Sequence, residues 1–146
     1  MIHNSKLIIY TDGGARGNPG PAAVGVVIYT EPAEGLEPKK YREYIGQTTN
    51  NVAEYKAAIF ALKKTKQLLG KEKAKKIMVE INTDSELLYK QARGEYKVME
   101  PGLQPLFIEI WNLKQDFKNV NFIHIAREKN READKLVNKE LDSRMI

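Results

Sequence analysis

Cysteine is absent from the 146 residues, and disulfides, zinc–thiolate sites and thiol nucleophiles are excluded with it. Long apolar runs are absent too: nothing approaches the ~18 residues a membrane helix needs, so no membrane partner is expected. The opening Met1-Ile2-His3-Asn4-Ser5-Lys6 and the short apolar run after it lack a secretory cleavage pattern, so a cytoplasmic location is the expectation. Internal repeats and low-complexity linkers are missing as well. Residues 1–146 therefore read as a single domain, and a monomer is the expected state. With 42% hydrophobic and 29% charged residues, collagen-like and disordered readings fail, and the length suffices for a core without staples. Lys and Arg number 24 against 19 Asp and Glu, a net charge of +5. That balance favours a polyanionic partner without proving one.

The chain alternates between two hydrophobic periods. Leu7-Ile8-Ile9-Tyr10 is a continuous apolar run, as in a central strand buried on both faces, and it ends at Asp12-Gly13-Gly14. A loop with Gly17-Asn18-Pro19-Gly20-Pro21 follows, then a strand over Ala22–Thr30. Glu31–Pro38 reads as a hairpin connection, and Lys40–Gln47 as a polar edge strand. Thr48-Thr49-Asn50-Asn51 supplies capping side chains for an alanine-rich helix over Val52–Leu69, closed by Gly70. After a basic link, Lys71–Lys76, come a strand to Asp84, a short helix over Ser85–Arg93 and a helix over Pro105–Phe117. A strand over Val120–Ala126 and a last helix over Arg131–Arg144, capped by Asn130, complete the chain. The order βββαβααβα predicts an α/β fold: a mixed sheet with helices packed on it. Trp111, Tyr89 and Phe107 are expected in the core.

Four acids stand out against this frame. The first and fourth strands can be parallel neighbours, which brings Asp12 and Asp84 to the carboxyl edge of the sheet, where open α/β sheets place ligands. Glu54 begins the apolar stripe Ala58, Ala61, Leu62 of the long helix, so it faces the sheet, a costly place for an unpaired carboxylate. Asp134 shares a face with Val137 and Leu141 in the first turn of the last helix. Read singly, Asp12 is a turn aspartate, Asp84 a helix cap and Asp134 a favourable charge at a helix N-terminus. Read together they repel: at an effective dielectric of ~20, two charges 4 Å apart cost about 4 kcal/mol. Cations must then neutralise the group, and four oxygen ligands suit Mg²⁺ or Mn²⁺.

The blocks Asp12-Gly13-Gly14 with Gly17–Pro21, Thr49-Asn50-Asn51-Val52-Ala53-Glu54, Thr83-Asp84-Ser85 and Asn130-Arg131-Glu132-Ala133-Asp134 closely resemble those of type 1 ribonucleases H, in order and in spacing. The resemblance implies the ribonuclease H-like fold, a five-stranded mixed sheet flanked by helices with its second strand antiparallel to the rest. It implies hydrolysis of the RNA strand of RNA–DNA hybrids with two Mg²⁺ ions, Mn²⁺ as a possible substitute, and 5′-phosphate and 3′-hydroxyl products. Asp12 would bridge both ions, Asp134 would complete the site that activates water, and Glu54 and Asp84 the site at the leaving oxygen. Asn18, Asn50 and Asn51 match nucleotide-contacting positions, Thr49 a phosphate-holding one, and Glu86 stands where some relatives carry a contacting glutamine. Turn and capping roles for Asn18 and Thr49–Asn51 can hold at the same time.

The resemblance has two gaps. Many members carry a histidine in the loop before the last aspartate, whereas this loop reads Ala126-Arg127-Glu128-Lys129-Asn130. Arg127 is the candidate catalytic replacement, against a reading as a solvated loop cation, and His124 is expected to be structural. The lysine-rich helix that some relatives insert between Arg93 and Pro105 is replaced by a short segment, so weaker substrate grip is expected there. The run Lys63, Lys64, Lys66, Lys71, Lys73, Lys75, Lys76 reads as a solvated helix end rather than a groove reader. The alternatives are a nuclease of the same superfamily acting on double-stranded RNA or branched DNA, and a non-catalytic hybrid-binding module. A binder has no need of four clustered acids.

Overall fold

The structure, a computed structural model, describes residues 6–31 and 37–144. His3 and the tip of the expected Glu31–Pro38 connection lie outside the described residues. The elements are β1 (Lys6–Ala15), β2 (Gly20–Glu31), β3 (Lys39–Thr48), α1 (Asn50–Leu69), α2 (Lys71–Ala74), β4 (Met78–Thr83), α3 (Glu86–Ala92), α4 (Gln104–Lys114), β5 (Asn119–His124) and α5 (Arg131–Arg144). A single 3₁₀ turn, Arg127–Lys129, precedes α5.

The five strands form one sheet in the order β3-β2-β1-β4-β5. β2 runs antiparallel to both its neighbours, while β1–β4 and β4–β5 are parallel. This is the mixed sheet expected from the sequence. β1 pairs with β4 only from Lys6↔Met78 to Tyr10↔Asn82, yet pairs with β2 through Ala15↔Ala22. Asp12 therefore lies within a strand, just past the point where β4 departs, and not in a turn after it.

Strand alternation divides the packing between two faces. Leu7 and Ile9 of β1, Val26 and Ile28 of β2, and Val79 and Ile81 of β4 are buried with Ala58, Ala61 and Leu62 of α1. Fully burying each such Leu, Ile or Val side chain contributes about 1.5–3 kcal/mol. On the opposite face Ala23 packs with Val137 and Leu141 of α5. β3 is polar and has no buried residue, as an edge strand should be.

Glycines set how closely the two helices approach. A Cβ on Gly13 would lie 2.2 Å from the Ala53 carbonyl oxygen of α1. One on Gly25, the β2 partner of Asp12, would lie 2.4 Å from the Ala133 carbonyl oxygen of α5. Backbone thus touches backbone on both faces beside Asp12, and Glu54 and Asp134 each follow directly after the residue in contact.

Three expectations are corrected. The basic link contains a helical turn, α2, around the buried Ala74. Trp111 is 54% exposed instead of in the core, because α4 buries Ile110 and the next residue is turned about 100° away. Tyr89 and Phe107 do pack, half-buried, against the core. β5 ends at His124, short of the expected Ala126, as Ile125 makes one further bond to the Thr83 carbonyl and the chain turns.

Candidate metal and nucleic-acid site

The carboxyl edge of the sheet opens into a cleft of ≈ 420 Å³ whose lining includes Asp12, Glu54, Asp84, Asp134 and Arg127. One carboxylate oxygen from each of Asp12, Glu54 and Asp84 lies within 4.8 Å of the others. Asp134 adjoins from the other side, within hydrogen-bonding reach of the Asp12 side chain. One of the blander sequence readings falls away here. Ser85, not Asp84, caps α3, its hydroxyl accepting from the Leu88 N–H at 3.1 Å. Glu54 is buried and its Oε1 accepts from the Gly13 N–H at 3.1 Å.

The electrostatics of the cluster are unfavourable without a cation. Burial, reinforced by the charges of Asp84 and Asp134 and by the hydrogen bond with Asp134, pushes Asp12 up to about 8. Burial also drives Glu54 well above the usual carboxylate range, with Asp12 and Asp84 adding to it. The Gly13 N–H and the Arg127 charge oppose this for Glu54, but more weakly. Oxygen-only donors and mutual repulsion fit a hard divalent cation, and among the described residues the recorded lysine and arginine ion pairs go to acids other than these four. Asp12, Glu54 and Asp84 can together hold such an ion, with Asp134 placed to join through Asp12.

The remaining candidates divide. Asn50 and Asn51 line the cleft. Asn18 does not, but its Oδ1 accepts from the Asn50 N–H at 3.0 Å, while Asn50 Oδ1 accepts from the Ala15 N–H at 2.8 Å. These bonds tie the Gly17–Pro21 loop to the start of α1 through carbonyl oxygens, and among the described residues neither amide NH₂ group is recorded donating to a protein partner. Thr49 caps α1 by accepting from the Val52 N–H at 3.2 Å. Glu86 lies off the cleft and pairs with Lys90 at 3.3 Å. His124 is exposed, its ring stacked on Tyr89 at 5.6 Å between centroids, and is not part of the cleft lining. Within the basic run, Lys63 pairs with Glu109, Lys66 with Asp116, and Lys64 lies over Tyr41.

Two asparagines acquire roles that the sequence did not reveal. Asn130 reads as the cap of α5, but its fully buried side chain turns away from the helix. Its Nδ2 donates to the Thr11 carbonyl at 2.8 Å and to Asp84 Oδ2 at 3.1 Å. Its Oδ1 is buried without a partner among the described residues, a cost of about 1–3 kcal/mol. Residue type alone could not distinguish a cap from this bridge. Asn138 donates to Asp134 Oδ2 at 3.3 Å and accepts from Arg16 at 3.2 Å. Its signal was present, since Asn138 lies one turn beyond Asp134 on the same helical face.

The chain matches the reverse transcriptase-like family over residues 10–140. It is 35% identical over 137 residues to ribonuclease HI of Halobacterium salinarum, covering 94% of this chain and 65% of that protein. It is 36% identical over 138 residues to the bifunctional protein Rv2228c of Mycobacterium tuberculosis, covering 94% of this chain and 36% of the other. The chain thus spans about a third of the mycobacterial relative and just under two thirds of the halobacterial one. RNase H1 from Halobacterium salinarum superposes with a TM-score of 0.83 at 35% identity, covering 94% of this chain and 98% of that one. LC11-RNase H1, in a structure with an RNA/DNA hybrid, superposes with a TM-score of 0.86 at 48% identity, covering 94% and 97%. The architecture is that of the ribonuclease H fold. On the family match and these relatives together, the chain belongs to the ribonuclease H type 1 family.

Proposed function

We propose that this chain is a divalent-metal-dependent endoribonuclease that hydrolyses the RNA strand of RNA–DNA hybrids. The observation that carries the reading is the convergence of Asp12, Glu54 and Asp84 within 4.8 Å at the sheet edge, with Asp134 beside Asp12. It is supported by the hybrid-bound relative, which is 48% identical.

Mg²⁺ or Mn²⁺ held by these four acids, as two ions, would supply an activated water and charge neutralisation at the scissile phosphate. Asp12 would serve both positions, Asp134 one of them, and Glu54 with Asp84 the other. Arg127, at the cleft wall, can attract the phosphate but cannot serve as a proton acceptor at neutral pH, because a guanidinium already holds its proton there. Asn18, Asn50 and Asn51 can present amide N–H groups to base-edge acceptors and 2′-hydroxyls of the minor groove, which would distinguish the RNA strand. Thr49 and Glu86 are proposed as outer contacts. The products are 5′-phosphate and 3′-hydroxyl ends.

The test is cleavage of labelled RNA–DNA hybrid, RNA duplex and DNA duplex, with Mg²⁺, with Mn²⁺ and with chelator. Metal-dependent cutting of the hybrid, leaving 5′-phosphates, is the expected outcome. Cutting of RNA duplex at a comparable rate would broaden the substrate class. Binding without cutting under either metal would make the chain a hybrid-binding module.

A further inference from the structure

We propose that Asn130 is the positioning residue that fixes Asp84 against Asp12 and thereby sets the affinity of the acid cluster for its divalent ion. This rests on the metal-binding part of the function proposed above.

Asn130 is where the separate chain segments of the site are joined. Its Nδ2 bridges the carbonyl of Thr11, the neighbour of Asp12, and the Oδ2 of Asp84. Its backbone N–H donates to the Arg127 carbonyl at 2.9 Å, and its own carbonyl accepts from the Asp134 N–H at 3.1 Å. One residue therefore connects β1, the end of β4, the 3₁₀ turn carrying Arg127 and the helix carrying Asp134.

The amide orientation is dictated by its neighbours. Both groups facing Nδ2 are acceptors, so exchanging Oδ1 and Nδ2 would set three oxygens against one another. The buried orphan Oδ1 shows that the amide is not an optimal filler for this space. An apolar side chain would avoid the orphan, so the NH₂ group is what the position provides. Charge supports the same conclusion. A lysine or arginine would also hold Asp84, but it would discharge the carboxylate and compete with the ion. A neutral donor orients Asp84 and leaves its charge available. With one oxygen of Asp84 held by Asn130, the carboxylate keeps a second oxygen for an ion.

The test uses the full chain as wild type, Asn130→Ala and Asn130→Leu, which keeps the branched outline without the amide. Mn²⁺ affinity is measured by calorimetry without substrate, folding by thermal melts, and kcat and KM on hybrid across metal concentrations. Expected is an Mn²⁺ Kd raised about 10–100-fold in folded variants. KM should stay within about twofold of wild type, with kcat recovering as metal is raised. A folded variant with the wild-type Kd overturns the proposal. So does a loss of kcat that excess metal does not recover. Should both variants fail to fold, the side-chain amide resonances of Asn130 in the wild type decide: they shift with the Mg²⁺ titration if Asn130 holds a metal ligand, and stay fixed if it does not. A wild type that binds Mn²⁺ but cuts no hybrid overturns the proposed function and leaves Asn130 to be judged by the Kd ratio alone.

Discussion

Asp12 is the acid that joins the cluster, because it approaches both the Glu54–Asp84 pair and Asp134. Asp12→Asn removes the charge with little change of volume. Hybrid cleavage should fall about 10³-fold or more, while the metal-free fold at neutral pH gains on the order of 2 kcal/mol because folding no longer requires position 12 to take up a proton. Activity assays and chelator-treated urea melts check the two halves independently, and a variant of full activity would remove the metal assignment. Arg127 shares the cleft but holds none of the acids, so Arg127→Ala should slow turnover by only about tenfold, or 1.4 kcal/mol. Steady-state kinetics on a folded variant decide this; complete inactivity would show a larger role. All four acids were legible in the sequence because two follow apolar strand runs and two share apolar helical faces. Asn130 was not, since its partners are 119 and 46 residues away, a separation that no local pattern records.

Elements act as rulers for these side chains. The helices bearing Glu54 and Asp134 approach β1 and β2 as closely as Gly13 and Gly25 allow. Gly25→Ala adds one methyl against the α5 backbone, an overpacking that should cost about 1–3 kcal/mol. Because the displaced helix carries Asp134, kcat should fall further than the lost stability explains, which melts and kinetics on the same sample would separate. A Gly25→Ala enzyme with unchanged melting and turnover would show that α5 can shift freely. Most elements could be read from hydrophobic period and caps, including the Gly70 stop, whose N–H donates to the Lys66 carbonyl. α2 was hidden by its basic composition, and the exposure of Trp111 by α4 resting on α1 along one narrow face. Neither displacement reaches the site, since the strand ends and α1 that carry it are the strongly patterned parts of the chain.

The fold gathers negative charge at one edge of a molecule whose net charge is +5, and the whole chain's stability should register that concentration. In the metal-free folded state Asp12 stays protonated up to about pH 8, whereas the unfolded chain loses that proton near 3.8. Between these values the folded state binds more protons, so stability falls as pH rises through the window. Glu54 is raised too and acts in the same direction. Urea midpoints measured with chelator should therefore drop between pH 5 and pH 8 by more in the wild type than in Asp12→Asn. Saturating Mg²⁺ should remove the difference, because the ion replaces the protons. Equal pH slopes for the two proteins would count against a buried, mutually repelling cluster.

Proton release on metal uptake tests the cluster most directly. Mn²⁺ is titrated calorimetrically into the metal-free chain at pH 7, in buffers of different ionisation enthalpy, for wild type and Asp12→Asn. The wild type should bind and release about one proton or more per site filled, and Asp12→Asn should bind far more weakly. Absence of binding by the wild type, or equal affinity and proton release in the two proteins, would contradict the assignment of these carboxylates as ligands.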